Sequence, residues 1–276
     1  MRKIIIAANW KMNKCKDEAI EFVFKINNKI PNRKNIETII FPQITLLDSL
    51  TQIEGKNLRI GAQNVFYKNQ GAYTGEISPQ NIKSLGIKYV LLGHSERRIY
   101  FGENDNIVNL KLLSVLSHQI SPIVCIGEIS EEKNTKKKTE IFLNKQIEKI
   151  LKNIQHKDIK NIILAYEPFW AIGKNNIKIN PQKINKVIEK IRKKISILFS
   201  NQISEKIRII YGGSISVTNA KYFLKEKEID GILIGKNSLN FSHFLFFTKI
   251  AEKINKEKMK EKNLKKIATY KKGQGY

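Results

Sequence analysis

The stretch Ile162-Ile-Leu-Ala-Tyr-Glu-Pro-Phe-Trp-Ala-Ile-Gly173 decides how this chain is organised. A run of apolar residues, typical of a buried strand, leads directly into the carboxylate of Glu167, which we expect at the rim of a sheet. Pro168 then fixes the backbone, because its ring locks φ and favours an extended conformation in the preceding residue. The following loop carries large apolar side chains and is expected to fold down over a neighbouring group. Taken alone, the stretch is equally compatible with a buried acid in a structural ion pair and an ordinary hydrophobic turn.

Seven further apolar runs resemble the one before Glu167, and amphipathic segments separate them. The eight runs are Ile4 to Trp10, Ile36 to Phe41, Leu58 to Asn64, Tyr89 to Gly93, Ile120 to Glu128, Ile162 to Glu167, Ile207 to Gly213 and Ile229 to Gly235. Short apolar runs of this kind are typical of parallel strands buried on both faces. Eight β-then-α units with right-handed crossovers close naturally into a barrel, so the predicted fold is α/β, a single (β/α)8 barrel.

The domain prediction is one barrel over residues 1–255 and a Lys-rich tail over residues 256–276. A last apolar helical stripe precedes the tail, formed by Phe244, Phe247, Ile250 and Ile254. Because the tail has few large apolar side chains to offset its ordering entropy, we expect frayed helix or disorder there. A basic arm for RNA or for an acidic partner is the alternative.

The formal net charge of +25 is extreme, but its lysines are spread along the whole chain. Clustering matters more than the total for nucleic-acid binding, so we predict no nucleic-acid partner, although a positive surface attracts anionic substrates. The four histidines share no ligand spacing with each other or with cysteine, and we predict no metal.

Cysteine usage and hydropathy favour a cytoplasmic location. Cys15 and Cys125 provide no disulfide framework, which fits a reducing compartment. The apolar start of the chain resembles a secretion signal, but Asn9 and Lys11 interrupt it. No segment approaches membrane-spanning length, so we predict no membrane association.

The predicted strands share polar carboxyl ends, where barrel enzymes assemble their active sites. These ends are Asn9-Trp10-Lys11, Gln63-Asn64, Gly93-His94-Ser95-Glu96-Arg97, Gly127-Glu128, Glu167, Gly212-Gly213-Ser214 and Gly235. Taken singly, a histidine such as His94 is more often a satisfied core residue, and a lysine such as Lys11 is more often a solvated one. A whole ring that includes an acid, an imidazole and a lysine indicates a catalytic site.

The two glycine turns after the seventh and eighth strands predict a phosphate site. Glycine turns followed by helices present free backbone N–H groups, and barrels commonly hold phosphate at this pair of strands. With phosphate there, Glu167 is placed as a base, His94 as a donor and Lys11 as a fixed positive charge. That set suits proton abstraction next to a carbonyl.

Six motifs in one order resemble the triosephosphate isomerase family over residues 1 to about 255. They are Ala8-Asn-Trp-Lys-Met-Asn13, Gly71-Ala-Tyr-Thr-Gly-Glu76, Leu91-Leu-Gly-His-Ser-Glu-Arg-Arg98, Val124-Cys-Ile-Gly-Glu128, Ala165-Tyr-Glu-Pro-Phe-Trp-Ala-Ile-Gly173 and Tyr211-Gly-Gly-Ser214. The resemblance implies a TIM barrel that interconverts dihydroxyacetone phosphate and D-glyceraldehyde 3-phosphate in glycolysis and gluconeogenesis, without cofactor or metal.

The resemblance also assigns residue roles. Glu167 is implied as the base and His94 as the neutral electrophile, which is the family's own known pattern rather than a deduction from spacing. Lys11 and Asn9 are implied as electrostatic and positioning groups. The implied substrate-binding residues are Asn9, Lys11, Gly173, Ser214, Gly235 and Lys236. Glu96 is implied as a supporting or proton-relay group.

A lid and a dimer follow from the same resemblance. The lid spans Pro168 to about Ile179 and closes over the enediolate, which blocks loss of phosphate by elimination. The homodimer forms through the loop Gly71 to Glu76, whose Thr74 reaches into the other subunit.

The chain departs from the family pattern at two places. Lys174-Asn175 replaces the usual Thr-Gly of the lid, and Lys236 replaces the second glycine after the eighth strand. The first affects lid timing, and the second affects the geometry of the phosphate site.

Two other functions compete with the isomerase. A barrel reduced to a nucleic-acid-binding protein is expected to lose the acid, imidazole or lysine from the rim, and all three are present. An aldolase needs a Schiff-base lysine at a strand end, for which Lys11 is the obvious candidate, but it does not need the glutamate and histidine.

Overall fold

The computed structural model describes residues 2–128, 136–171 and 179–273, which form eight parallel strands alternating with helices. The strands are β1 Ile4–Asn9, β2 Ile36–Phe41, β3 Leu58–Ile60, β4 Tyr89–Leu92, β5 Ser121–Ile126, β6 Ile163–Tyr166, β7 Arg208–Gly212 and β8 Gly231–Ile234. Each predicted apolar run contains one of these strands. The predicted (β/α)8 barrel is therefore confirmed.

Within the described ranges, at least one α-helix follows each strand before the next strand begins or, after β8, before the chain ends. They are α1 Lys16–Asn27, α2 Leu47–Gln52, α3 Pro79–Ser84, α4 Ser95–Tyr100, α5 Asp105–Ser117, α6 Lys136–Ile150, α7 His156–Ile159, α8 Pro181–Leu198, α9 Asn201–Lys206, α10 Ala220–Lys225 and α11 Phe241–Gly273. Several begin where the sequence supplies a cap. Asn180 accepts hydrogen bonds from the first turn of α8, and Pro181 occupies its first position, where no N–H is needed.

The sheet runs in the order β3-β2-β1-β8-β7-β6-β5-β4, with all the pairs parallel. Its two outer strands meet through Ala62, which lies just beyond β3. Ala62 donates to Tyr89 O at 3.0 Å and accepts from Leu91 N at 2.9 Å. This bridge to Val90 joins the two edges and closes the barrel.

Alternate residues of each strand face opposite sides of the barrel wall. One set fills the interior: Ile5, Ala7, Ile39, Phe41, Tyr89, Leu91, Ile123, Cys125, Ile163, Ala165, Ile210 and Leu233. The other set packs against the helices. In this alternation Asn9, the last residue of β1, follows Ile5 and Ala7 inward, and the pattern continues one residue past the end of β6. Glu167 follows Ile163 and Ala165 in the same way, which aims its carboxylate at the barrel axis.

The last helix, α11, continues without a break from Phe241 to Gly273. The tail that the sequence predicts to be frayed helix or disorder, residues 256–276, is helical as far as Gly273. Lys258 donates to Glu226 O at 2.8 Å, so the start of the tail contacts the barrel. The boundary at residue 255 stays a prediction. Within the described ranges, no helix is both long and apolar enough to cross a bilayer.

Candidate active site

Glu167 lies at the carboxyl end of the barrel with little exposure to solvent. Its backbone N–H donates to Ile126 O at 2.8 Å, which continues the β5–β6 pairing by one residue. The carboxylate Oε1 lies 3.4 Å from His94 Nε2, and both side chains are less than a tenth exposed. The second oxygen, Oε2, is buried and has no hydrogen-bond partner among the described residues. A buried carboxylate with a free oxygen is well placed to accept a proton.

Two glycines make the space that Glu167 occupies. A Cβ on Gly127 would lie 2.0 Å from the carbonyl oxygen of Glu167, and one on Gly212 would lie 2.7 Å from its Cγ. Both distances are far below ordinary contact, so side chains at these positions would displace the acid. In the sequence these glycines are recognisable only as strand ends or phosphate turns, and their packing against Glu167 becomes visible only in the fold.

His94 is the N-cap of α4, and its ring accepts a hydrogen bond at Nδ1 from Glu96 N at 3.3 Å. A nitrogen that accepts from a backbone N–H carries no proton, so in the neutral ring the proton is on Nε2. The Glu96 carboxylate, at 3.6 Å from Nδ1, is too far to compete as a hydrogen-bond acceptor. His94 therefore presents an N–H donor toward the space shared with Glu167.

Lys11 is held in an uncommon backbone conformation, with φ at +53°. Its N–H donates to Asn9 Oδ1 at 3.0 Å, and its carbonyl accepts from Gln63 Nε2 at 2.9 Å. A left-handed conformation costs roughly 1 to 2 kcal/mol for a non-glycine residue, so these contacts are needed to hold it. Such strain is common at functional sites.

The Lys11 ammonium lies between two elements of the site. It forms an ion pair with Glu96 Oε1 at 2.5 Å, and it lies 3.8 Å from the position of a Cβ built on Gly235. The ion pair favours a fixed positive charge over a Schiff-base nucleophile, which requires a neutral amine. Lys11 thus connects the His94 region with the loop after β8.

Glu128 anchors the start of the loop after β6. Its carboxylate accepts from Tyr166 Oη at 2.9 Å and from Trp170 Nε1 at 3.0 Å, and its carbonyl accepts from Phe169 N at 2.9 Å. These bonds fix Phe169 and Trp170, which lie at the start of the predicted lid. In the sequence Glu128 is recognisable only as a polar strand end. Its partners lie about 40 residues away, and no local pattern reveals them.

Cys125 lies beside the Glu167 carboxylate, and Arg98 forms hydrogen bonds with the strand ends nearby. Burial, followed by the neighbouring Glu167 carboxylate, raises the pKa of the Cys125 thiol well above its usual range, so the thiol stays protonated. Arg98 donates to Gly93 O at 2.8 Å and to Cys125 O at 3.3 Å. These bonds fix the ends of β4 and β5, on which His94 and Glu167 depend.

The two predicted phosphate turns lie side by side after β7 and β8. Ser214 is partly exposed on the first, and Lys236 is exposed at the start of a 3-10 segment, Lys236–Leu239, on the second. Lys236 does not have a positive φ, so replacing glycine by lysine introduces no left-handed strain there. Of the predicted site, Gly173 and the lid residues Lys174 and Asn175 lie outside the described residues.

The described parts of the chain contain no group of three or more His, Cys, Asp or Glu side chains arranged to hold a metal ion. The site presents an acid, an N–H donor and a fixed cation instead. Such groups can move a proton on carbon and stabilise an adjacent oxyanion.

Comparison with known proteins identifies chains that are similar to this one over most of its length. A family model described as triosephosphate isomerase matches residues 4–254. A triosephosphate isomerase of Onion yellows phytoplasma is 54% identical over 254 residues, covering 91% of each chain. That of Aster yellows witches'-broom phytoplasma is equally similar. The triosephosphate isomerase of Thermoanaerobacter pseudethanolicus is 43% identical over 244 residues, which covers 88% of this chain and 98% of the relative.

Proposed function

Because the chain belongs to the triosephosphate isomerase family, we propose that Glu167, His94 and Lys11 carry out the family's reaction here. The enzyme interconverts dihydroxyacetone phosphate and D-glyceraldehyde 3-phosphate, a step of glycolysis. The observation that carries the assignment is the 3.4 Å separation of Glu167 Oε1 from His94 Nε2 inside a buried space. A base and a donor at that distance can act on adjacent atoms of one small substrate.

The proposed mechanism has two proton transfers on carbon. Glu167 removes a proton from the carbon next to the substrate carbonyl, and the electrons of that C–H bond form the enediolate. The Nε2–H of His94 donates to the oxygen on which negative charge develops, while the Lys11 ammonium stabilises that charge. His94 then gives its Nε2 proton to the former carbonyl oxygen and takes the proton of the neighbouring hydroxyl, so that this second oxygen becomes the new carbonyl. Glu167 returns its proton to the carbon that carried the original carbonyl, which completes the exchange of aldehyde and ketone without a redox partner.

The phosphate is proposed to bind at the glycine turns after β7 and β8. Backbone N–H groups near Ser214, Gly235 and Lys236 supply donors, and any residue except proline retains its N–H. Lys11 lies against Gly235, so its charge is shared between the phosphate side and the reacting carbons. Gly173 is proposed to add a donor from the lid, and Asn9 to fix Lys11 through its hydrogen bond.

Measurement of both triose phosphates in a coupled assay tests this proposal. The intact enzyme is expected to turn over each substrate without added metal or cofactor. Glu167→Gln is expected to fold and bind substrate but to lose on the order of 100-fold or more in kcat, because an amide accepts no proton from carbon. Glu21→Gln, the same change at an exposed acid, is the control. Near-normal kcat in the Glu167 variant would place the base elsewhere.

A homodimer is proposed to form through the loop Gly71 to Glu76. Every residue of that loop is exposed, including Thr74. Three large apolar side chains close to the site residues in sequence are exposed. Met12, next to Lys11, is 86% exposed, and Tyr100 and Phe101, which follow His94, are 75% and 66% exposed. Large exposed apolar groups of this kind mark interaction surfaces when they form a patch. In sedimentation velocity, the enzyme is expected to run as a dimer and Thr74→Arg as a monomer; a monomeric wild type contradicts the proposal.

A cytoplasmic location is also proposed. Glycolysis supplies the substrate there, and both cysteines are free, with Cys15 exposed. Cell fractionation with an antibody to the chain tests this, and recovery from an extracellular fraction contradicts it.

A further inference from the structure

We propose that Asn237 is a positioning residue that holds the two phosphate loops together and thereby sets phosphate affinity. The loops are residues 213–219 after β7 and residues 235–240 after β8. This inference rests on the proposed function, because it takes these loops to be the phosphate site. It adds a residue that lies past the glycine turns and was not among the predicted site residues.

Asn237 reaches from one loop to the other. Its side-chain amide Nδ2 donates to the backbone carbonyl of Ile215 at 2.6 Å, across 22 residues of sequence. Ile215 is buried and Asn237 is partly buried, so the bond is shielded on at least one side. A short, partly buried hydrogen bond of this kind is a specific contact rather than a chance contact between exposed groups.

The other hydrogen bonds of these loops stay within one loop or run to the strand or helix that adjoins it, as from Ala220 N to Ser216 O and from Ser238 Oγ to Ile234 O. Ile215 N donates to Gly213 O, Asn219 Nδ2 donates to Ser214 O, and Ser238 Oγ donates to Gly235 O. Throughout the portion of the chain that the structure describes, the Asn237 bond is the one hydrogen bond that joins residues 213–219 to residues 235–240. Each loop has its own internal shape, and Asn237 fixes the separation between the two.

Backbone pairing does not fix that separation, because the strands stop pairing before the loops begin. The β7–β8 register ends with Gly212 opposite Leu233. Past that point no backbone ladder fixes the distance between the turns. A phosphate bound by N–H groups of both turns needs that distance to be constant, since its oxygens must meet donors on both sides. Asn237 supplies the missing constraint one residue after Lys236.

The expected consequence is a change in binding without a change in chemistry. The phosphate group is chemically inert in the reaction, so contacts to it are made in the substrate and the transition state alike. Loss of such uniform binding raises KM and leaves kcat unchanged. The loss of one ordering hydrogen bond is expected to weaken phosphate binding about fivefold. Both triose phosphates and inorganic phosphate are expected to be affected by the same factor.

The test compares Asn237→Ala and Asn237→Leu with the wild type at constant ionic strength. Leucine keeps the volume of the side chain but provides no donor, so it controls for collapse of the site if alanine destabilises the fold. The matched control is Asn255→Ala. Asn255 also bonds a backbone carbonyl of another element, Asn35 O at 3.0 Å, and it plays no part in the proposed site.

Both Asn237 variants are expected to show about fivefold higher KM for each triose phosphate, with kcat within twofold of wild type. Inorganic phosphate, used as a competitive inhibitor, is expected to show the same fivefold loss, while Asn255→Ala leaves both constants unchanged. Unaltered constants in a folded Asn237 variant, or equal losses in Asn255→Ala, overturn the proposal.

Phosphorus NMR titration with inorganic phosphate gives a readout that does not depend on turnover. If the wild type lacks isomerase activity, the proposed function fails, but phosphate binding that weakens in Asn237→Ala still supports the loop contact. If the wild type is active and its phosphate affinity equals that of Asn237→Ala, the positioning role alone is refuted.

Discussion

Substitution of Gly212 by alanine is expected to displace the base without unfolding the barrel. A Cβ at this position would lie 2.7 Å from Cγ, 2.9 Å from Oε1 and 3.2 Å from Cδ of Glu167. Ordinary contacts begin near 3.4 Å, so the carboxylate has to move by about 0.7 Å. A misplacement of about 1 Å at a reacting group costs on the order of 100-fold. We therefore expect kcat to fall by roughly 30- to 100-fold.

The stability of this variant is expected to stay close to that of the wild type. The clashing atoms belong to a side chain that can rotate, and alanine restricts the unfolded chain, which stabilises by about 0.4 to 1 kcal/mol. KM is expected to change by only a few-fold, because the phosphate turns keep their backbone. The assay is steady-state kinetics in both directions, paired with urea unfolding.

Gly86→Ala is the matched control for this experiment. Gly86 has φ at +78° with open space around the missing Cβ, so alanine strains the backbone there but touches nothing. It is expected to lose roughly 1 to 2 kcal/mol of stability while keeping kcat. If Gly212→Ala keeps kcat within threefold of wild type while folded, the acid has more freedom than its packing implies. An equal fall in kcat for Gly86→Ala would show that stability, rather than geometry, controls the rate.

The other predictions concern the basic parts of the chain. Lys236→Gly is expected to raise KM mildly and to flatten the salt dependence of kcat/KM with kcat within a few-fold, because the exposed ammonium adds positive potential that salt screens over about 8 Å. A tenfold fall in kcat would give Lys236 a part in the chemistry, and an unchanged salt dependence would show that it points away. Truncation before Lys256 is expected to keep kcat/KM but to lower stability by about 1 kcal/mol, since it removes the Lys258 bond to Glu226. Truncation after residue 264 is expected to leave the melting temperature unchanged, and inactivity of either form would show that the tail supports the site.

The fold could be predicted from the sequence because each strand is marked by a local run of apolar residues. Runs such as Ile4 to Trp10 need no distant partner to be recognised, and their spacing leaves room for one crossover helix each. The contact that closes the barrel between β3 and β4 could not be predicted from the sequence. Ala62 lies past the end of a three-residue strand, and its role depends on where Tyr89 and Leu91 arrive in space.

Candidate site residues can be proposed from the sequence more readily than the contacts that support them. Glu167 follows the inward alternation of its strand, and His94 and Lys11 stand at strand ends, so local pattern and resemblance both point to them. The +53° φ of Lys11 depends in part on the hydrogen bond from the distant Gln63, and the Nδ1 hydrogen bond of His94 forms only where the chain after β4 turns into α4. The bond from Asn237 to Ile215 likewise depends on how two loops lie after folding, which no spacing rule encodes.

The position of β8 between β7 and β1 has a consequence for synthesis on the ribosome. Ile5 of β1 pairs with Gly231 of β8, which is made roughly 226 residues later. At about 5 to 20 residues per second, the first strand waits roughly 10 to 45 s for its second neighbour. During that time one edge of β1, with its unpaired N–H and C=O groups, is open to other strands, including those of nascent chains. A chaperone bound to the amino-terminal half of the nascent chain would protect this edge until β8 leaves the ribosome.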